Sequence, residues 1–424
     1  MDHSHLPLEM LARWFTGRLE HDDVLQVVIP HHLERCPDCR EKHAEILRLQ
    51  EEIGHWDEEV VVLESRQAPK LWARLQKHPF EEQLKLVEED EELHLWGLCD
   101  FLLKKSLGAV FDNPTASVRL ANLAILVARN LGSAYDPHWV LDLRARAFAY
   151  LGNARRVLGE LQAAEDSFRK AEACLERSMT GNTLIEAEVL DLKSSLRRDQ
   201  RLLDDALSLA DEALTLYRED GNARGIAKAL LQKAKILEER GDLNSSIELL
   251  QKGSSEIDQT QEARLYALAR YNLLGCLTLA NRYHEAEQLL PDVRALFRDT
   301  AQPLDRVRLR WAEGNIALGL ERTEEAERTF RQVQKEFLDR GMAYNAALVS
   351  LDLATLLAQE GRRLELKQLA AELIPVFESR EIHREAMGTL ILFQRACQED
   401  RLTVELAREL AGSLRQERRG RAAG

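Results

Sequence analysis

Three stretches of this chain decide its fold: Gly159–Glu165 (GELQAAE), Asn281–Glu287 (NRYHEAE) and Glu321–Glu327 (ERTEEAE). Each stretch has an alanine as its sixth residue, and aligning the chain on that alanine gives a column of small residues. The column comprises Ala164, Ala206, Ser246, Ala286 and Ala326, at successive spacings of 42, 40, 40 and 40 residues, and Leu366 and Leu406 continue it. A fixed period of this length is typical of repeat proteins.

Two further columns accompany the small column. The packing column lies four residues after it and comprises Phe168, Ala210, Leu250, Leu290, Phe330, Ala370 and Leu410. The upstream column lies twelve residues before it and comprises Gly152, Ser194, Ala234, Leu274, Gly314 and Ala354. Residues four apart share a helix face, and small residues let two helices approach closely. The pattern predicts stacked helical hairpins with turns at Gly159, Gly241 and Gly361, because one hairpin cannot bury its apolar face alone.

The composition also predicts an all-α protein. Of 424 residues 45% are hydrophobic and only 10 are proline, which favours helix. The net charge of −14 disfavours broad binding of nucleic acid, because phosphate neutralisation needs clustered Lys and Arg. We expect no membrane span and no signal peptide, since no run approaches about 18 apolar residues and the first residues lack a basic region. The six cysteines do not have the spacing of a disulfide framework, which favours a cytoplasmic location.

The repeat resembles the tetratricopeptide (TPR) family in Leu151–Gly152, Gly159, Ala164, Phe168 and Ala171. It departs from that family in its period, which is near 40 residues rather than about 34. The resemblance covers residues 136–415, with six hairpins and a degenerate seventh. It implies a TPR-like α-solenoid in which the first helix of each hairpin lines a groove for a peptide or protein partner. The groove-facing positions carried over from the family are Arg146, Asn153, Arg156, Asp191, Arg198, Tyr271, Trp311 and Asn315.

The sharpest local motif is the segment His32–Cys39 (HLERCPDC), which has the form H-x3-C-x2-C. Zinc prefers imidazole nitrogen and thiolate sulfur in a tetrahedral set. On a helix His32 and Cys36 share a face, and the C-x2-C spacing lets two thiolates reach one metal. With 12 His and 6 Cys in the chain, random placement gives about 0.002 such motifs. We therefore predict a zinc site; the alternative is a helix end with two incidental thiols.

The same residues resemble the zinc-containing anti-sigma factor domain of bacteria. Its other features match a short helix at Leu8–Phe15, a turn at Gly17–Leu19 and an acidic helix start at Asp22–Asp23. In that family a fourth zinc ligand precedes the His-Leu pair, which implies His5, with His3 as the second choice. The resemblance also implies that this module and the amphipathic segment after it clasp a sigma factor.

We predict four regions: a zinc-binding anti-sigma-like module at 1–56, a linker at 57–78, a helical capping region at 79–135 and the TPR-like array at 136–424. One hypothesis is a zinc-dependent transcription regulator that sequesters a sigma factor. The other is a scaffold or adaptor protein in which the zinc module is only a structural or docking unit. We do not predict an enzyme, because the chain lacks nucleotide-binding glycine loops and a G-x-S-x-G elbow, and His284–Glu285 lacks the second His of a zinc-protease helix.

Overall fold

The structure, a computed structural model, is helical wherever it describes regular secondary structure. It describes residues 29, 32–33, 36–42, 63–132, 135–300, 302–378 and 384–420, without the side chains of 374–378, 384–387 and 415–420. These ranges contain no β-strand, so the expected all-α fold is confirmed. By internal packing the chain divides into two compact units, Met1–Gln200 and Arg201–Gly424.

From residue 63 onward, the described part of the first unit contains the α-helices α1 to α7. They are α1 (63–75), α2 (Phe80–Glu89), α3 (Trp96–Ala109), α4 (Pro114–Asn130), α5 (Pro137–Val157), α6 (Leu161–Arg177) and α7 (Thr183–Asp199). Helices α3 and α4 pack as one hairpin, and α5 and α6 as another. The side chain of Asn113 caps α4 by accepting from the Ala116 N–H at 3.0 Å, and Pro114 opens the helix, where its missing N–H has no helical partner to lose.

The second unit is built from helices α8 to α18. They are α8 (Leu203–Asp220), α9 (Ala223–Arg240), α10 (Leu243–Gly253), α11 (Ala263–Leu279), α12 (Tyr283–Thr300), α13 (Pro303–Gly319), α14 (Thr323–Asp339), α15 (Ala343–Gln359), α16 (Arg363–Glu378), α17 (Arg384–Gln398) and α18 (Val404–Gly420). Each helix packs against the next one in sequence. No helix in the described ranges has both the length and the apolar character that crossing a membrane requires.

The three columns of the repeat form the contacts inside and between hairpins. Every residue of the small column is buried except Leu406, which is half-buried. Every residue of the packing column and of the upstream column is buried as well. A Cβ added to Gly314 would meet the Phe330 ring at 2.7 Å, and one added to Gly152 would meet the Phe168 ring at 2.8 Å. The glycines of the upstream column therefore make room for the phenylalanines of the packing column.

The turns between paired helices repeat with the same period. Gly159, Gly241 and Gly361 have φ values of 85°, 90° and 68°, as expected for a left-handed residue that ends a helix. The equivalent turns place Arg201, Asn281, Glu321 and Asp400 at φ 64°, 58°, 61° and 55°. After Glu321, for example, the N–H of Arg322 donates to the carbonyl of Ala317 at 2.9 Å, which is the six-residue hydrogen bond of a Schellman cap.

Helix length accounts for the long period. Helices α13, α14 and α15 each have 17 residues, and three residues separate each pair. Two helices and two such connections complete a repeat of 40 residues. The residues in excess of the usual TPR period thus lie in the helices of these repeats, with short connections between them.

Helix α1 lies inside the stretch 57–78, which the sequence analysis treats as a linker. Leu75 is fully buried, and the Glu64 carboxylate accepts from the Gly97 N–H at 3.0 Å and from the Tyr135 hydroxyl at 2.5 Å. Residues 63–75 are therefore part of the packed unit and not a flexible tether. The helix continues through Pro69.

The predicted boundary between 79–135 and 136–424 is not a gap in the packing. One apolar core joins Leu98 of α3, Leu123 of α4 and Leu143 of α5, so the capping region and the first hairpin share a core. The division into compact units falls between Gln200 and Arg201.

Candidate metal centre and partner-binding face

The three residues of the H-x3-C-x2-C motif converge. Their possible ligand atoms, one on each of His32, Cys36 and Cys39, all lie within 4.8 Å of one another. The His32 Nε2 atom lies 3.4 Å from the Cys39 Sγ atom. Cys39 is fully buried, whereas His32 and Cys36 are half-buried. The predicted ligands therefore form one compact cluster.

The local backbone explains this convergence. The Cys36 N–H donates to the His32 carbonyl at 2.8 Å, and the Arg40 N–H donates to the Cys36 carbonyl at 3.1 Å. Cys36 itself is not helical, and a helix runs over 37–42. Pro37 suits the first position of that helix, and Cys39 lies in its first turn. The two turns thus bring the residues at positions 32, 36 and 39 to one side of the segment.

The donor set fits zinc. A tetrahedral zinc ion with bonds of about 2.05 Å to nitrogen and 2.3 Å to sulfur sets its ligand atoms about 3.6–3.8 Å apart. The distance of 3.4 Å between His32 Nε2 and Cys39 Sγ is close to that value. The other two pairs of ligand atoms lie within 4.8 Å, so small side-chain rotations bring them to the same separation. His32, Cys36 and Cys39 would supply three of four ligands. His5 and His3, like the segments Leu8–Phe15 and Asp22–Asp23, lie outside the described residues.

The eight predicted groove residues occupy equivalent positions on four different helices. We call the face that these positions form on each helix its A-face. On the first helix of each hairpin, the A-face is defined relative to the residue of the upstream column. It comprises the residues six and three positions before that residue and one and four positions after it. On α13, where the upstream residue is Gly314, these are Arg308, Trp311, Asn315 and Leu318. These positions recur at helical spacing and therefore share a side. Five of the predicted residues lie on α5 and α7 in the first unit, and three lie on α11 and α13 in the second.

In the first unit Arg146 joins three helices. Its guanidinium donates to Asp100 of α3 at 3.0 Å and to Glu188 of α7 at 2.9 Å, and Tyr150 also donates to Glu188. Burial lowers the pKa of Arg146, but Glu188, Tyr150 and Asp100 together outweigh burial and the net shift is upward. Burial, followed by the charge of Glu188, raises the pKa of Tyr150. Arg146 is thus a permanent cation held between two carboxylates.

A second polar cluster lies further along the same two helices. Asn153 and Arg156 are buried, and the Arg156 guanidinium donates to the Asn153 amide oxygen at 2.9 Å and to the Asp199 carboxylate. Arg198 donates to Asp199 at 3.0 Å. Asp191 is half-buried on α7. The structure therefore brings Asn153, Arg156 and Arg198 together around Asp199, within the interface between the two helices. Arg146 belongs to the separate cluster with Asp100 and Glu188.

In the second unit the A-face carries an aromatic residue on each of two successive first helices. The Tyr271 ring lies 5.5 Å from Phe297, and the Trp311 ring lies 5.9 Å from Phe337. The Tyr271 hydroxyl donates to the Arg308 carbonyl at 3.4 Å, and burial raises its pKa to about 12. Trp311 Nε1 donates to Asp352 at 2.7 Å, while the Asn315 amide donates to the Trp311 carbonyl at 3.1 Å.

Sequence reasoning missed other residues of this face. All twelve A-face positions of α9, α11 and α13 are half-buried, and those absent from the predicted set are Lys228, Leu231, Lys235, Glu238, Leu268, Gly275, Thr278, Arg308 and Leu318. The sequence alone identifies these residues when the four A-face positions are counted from the upstream-column residue of every first helix. Half-buried side chains in a row are accessible from one side and fixed from the other, as in a preformed binding surface.

Comparison with known proteins supports the fold. No protein-family model matches this chain, and no curated protein sequence matches it significantly. Among solved structures it is similar to the aspartyl phosphate phosphatase F from Bacillus subtilis, at 12% identity over 88% of this chain and 94% of that one, with a TM-score of 0.52. It is also similar to a Rap protein complexed with Competence and Sporulation Factor (15% identity, 84% and 99% covered, TM-score 0.47) and to the apo form of RapI (12%, 75% and 99%, 0.46). At 12% identity the likeness to phosphatase F extends to the fold alone, and with the repeat it makes this chain a TPR-like helical-repeat protein.

Proposed function

We propose that this chain is a regulatory protein that acts by binding other proteins through its A-face. The observation that carries the proposal is the row of twelve half-buried A-face positions on α9, α11 and α13. They combine aromatic rings, which are common binding anchors, with charged groups such as Lys228 and Arg308. The mechanism is sequestration or recruitment of a partner and not chemical conversion.

We further propose that the N-terminal cluster is a zinc site within an anti-sigma-type module. The convergence of His32, Cys36 and Cys39 supports the metal, and the motif's resemblance supports the partner class. Residues 1–60 contain 14 Asp or Glu and 6 Lys or Arg, and an acidic surface complements a basic patch of a sigma factor. In a reducing cytoplasm both thiolates remain available to the metal.

The test of the sigma hypothesis is affinity capture from native cytosol with tagged full-length protein, followed by reconstitution with the purified partner. Cys36→Ser/Cys39→Ser is the comparison variant. We expect a sigma factor on the wild type and its loss from the variant. A partner other than a sigma factor, recovered equally with both proteins, would contradict the anti-sigma reading and leave binding through the repeats.

The A-face is tested by two matched substitutions on one helix. Arg308 lies on the A-face of α13, whereas Arg306 lies two residues away and is exposed. Charge reversal of Arg308 places a like charge against an acidic partner, or removes repulsion from a basic one, so Arg308→Glu should change the affinity of the captured partner about tenfold or more. Arg306→Glu should leave it unchanged. Equal effects of the two variants would remove the A-face from the interface.

The second candidate is a scaffold in which the N-terminal segment is a structural unit. One observation favours it: α1, the first described helix after the module, is packed into the core through buried Ala68 and Leu75. In this case Cys36→Ser/Cys39→Ser would lower thermal stability while a groove partner stays bound.

A further inference from the structure

Helix α15, the first helix of the hairpin α15–α16, differs on its A-face from α9, α11 and α13, the first helices of the preceding hairpins. On α15 the equivalent positions are Leu348, Leu351, Thr355 and Ala358. Leu348, Leu351 and Thr355 are only 2%, 0% and 5% exposed, whereas every A-face position of α9, α11 and α13 is half-buried. Something in the second unit therefore covers this face of α15.

The cover is the C-terminal helix α18. Besides its neighbours α13, α14 and α16, α15 packs extensively against α18. Tyr344 lies one helical turn before Leu348 on the same side of α15, and its hydroxyl donates to the Leu414 carbonyl of α18. Leu348 and Leu351 belong to one apolar cluster with Leu410, Ala411 and Leu414.

The sequence of α18 explains why it can lie there. Ala407, Leu410, Ala411 and Leu414 follow the i, i+3, i+4, i+7 spacing of one helix face, and all four are buried. The side chain of Thr403 accepts from the Leu406 N–H at 3.2 Å at the start of the helix. The opposite side of α18, including Arg408 and Glu409, is exposed. Thus α18 is an amphipathic helix seated in the chain's own A-face.

We propose that the A-face of α15 is a docking site for an amphipathic helix of a partner protein, and that α18 occupies this site in the free chain and excludes the partner helix. This inference rests on the proposed function and narrows it, because it assigns the partner segment a helical conformation with a Leu/Ala stripe. A partner helix with the same stripe repeats the contacts of α18, so the two compete for one surface.

The length of the segment that links α18 to α17 determines how strongly α18 weakens the binding of a free helix. Only Glu399–Thr403 connects α17 to α18, and a short linker gives an effective concentration of about 1 mM. A free helical peptide with an intrinsic dissociation constant of about 10 μM should then bind the intact chain about 100-fold more weakly than a chain whose α18 is undocked.

The experiment uses the full-length chain and a fluorescein-labelled peptide of residues 403–420, followed by anisotropy. Leu410→Glu/Leu414→Glu undocks α18 by placing two carboxylates in its apolar stripe. Arg408→Glu is the matched control, because it changes the net charge by the same amount on the exposed side. We expect the undocked variant to bind the peptide about 30- to 100-fold more tightly than the wild type, the control to bind like the wild type, and a peptide with a scrambled stripe not to bind.

Equal binding to wild type and undocked variant, no binding to either, or equal binding of the scrambled peptide would each overturn the proposal. Hydrogen exchange on the wild type provides a measurement that needs no variant. Millimolar peptide should accelerate exchange in α18 while α15 stays protected, and unchanged exchange in α18 refutes displacement. The probe is defined, so failure here leaves the partner-capture test of the proposed function unaffected.

Discussion

The contact between Gly314 and Phe330 gives a quantitative test of the repeat architecture. A Cβ at position 314 would lie 2.7 Å from the Phe330 ring, and both residues are buried. Overpacking of this kind costs about 1–3 kcal/mol, while replacing a helical glycine by alanine returns about 1 kcal/mol. We therefore expect Gly314→Ala to destabilise the second unit by about 0–2 kcal/mol.

The partner change should reverse that cost. Phe330→Leu alone leaves unfilled space and should cost about 1–2 kcal/mol. The pair created by both changes, alanine with leucine sixteen residues later, already occurs in this chain as Ala234 and Leu250, and both are buried. The double variant should therefore be more stable than the sum of the single effects by about 1–2 kcal/mol.

The assay is urea unfolding of the full-length variants, monitored by circular dichroism. The variants are compared with the same dependence of the free energy of unfolding on urea concentration. The matched control is Gly275→Ala on α11, where an added Cβ meets nothing within 4 Å, and it should stabilise by about 0.5–1 kcal/mol. Effects of the two changes at 314 and 330 that add within about 0.5 kcal/mol would refute the reasoning. So would a destabilising control.

Three further predictions concern the turns, the A-face and the metal. Glu321 has φ 61°, so Glu321→Gly should raise the free energy of unfolding by about 0.5–1 kcal/mol, and Gly241→Ala should lower it by about 1 kcal/mol; opposite signs in thermal unfolding would contradict this. Burial raises the pKa of Tyr271 to about 12, above the ordinary value of about 10. Its contribution to stability is thus complete below pH 10 and is lost as the pH rises towards 12, and Tyr271→Phe should abolish that loss in an alkaline unfolding series. The wild type should retain a single zinc ion after dialysis, and Cys36→Ser or Cys39→Ser should lose it in a colorimetric zinc assay; full retention by both variants would exclude these thiolates as ligands.

The columns of the repeat were predictable from sequence because helix packing alone determines which residues can occupy them. Where two helices touch, the chain needs a small residue at the contact and, four positions later, an apolar residue that fills the adjacent space. Size matters at both positions more than the exact amino acid. Ser246 serves as well as Ala286 in that role, and both are fully buried. The clustering of His32, Cys36 and Cys39 was predictable for a related reason, since a zinc site restricts both the residue types and their spacing.

Other features depended on information that a local pattern does not contain. The stripe of α18 predicts that the helix is buried, but it does not say that α15, rather than α17 alone, is the surface that it covers. The buried state of Arg156 depends on Asp199, which lies 43 residues away and compensates its charge. The packing of α1 depends on Gly97, a residue of another helix that leaves space for the Glu64 backbone.

The length of the helices sets the dimensions of the A-face. A 17-residue helix such as α13 is about 26 Å long, whereas two helices that share a 34-residue period with short turns are nearer 21 Å. Each first helix therefore offers nearly one extra turn, and thus about one further side chain, to whatever lies against it. Helices α15 and α18 each have 17 residues. A helix of the length of α18 therefore matches the full length of the A-face of α15.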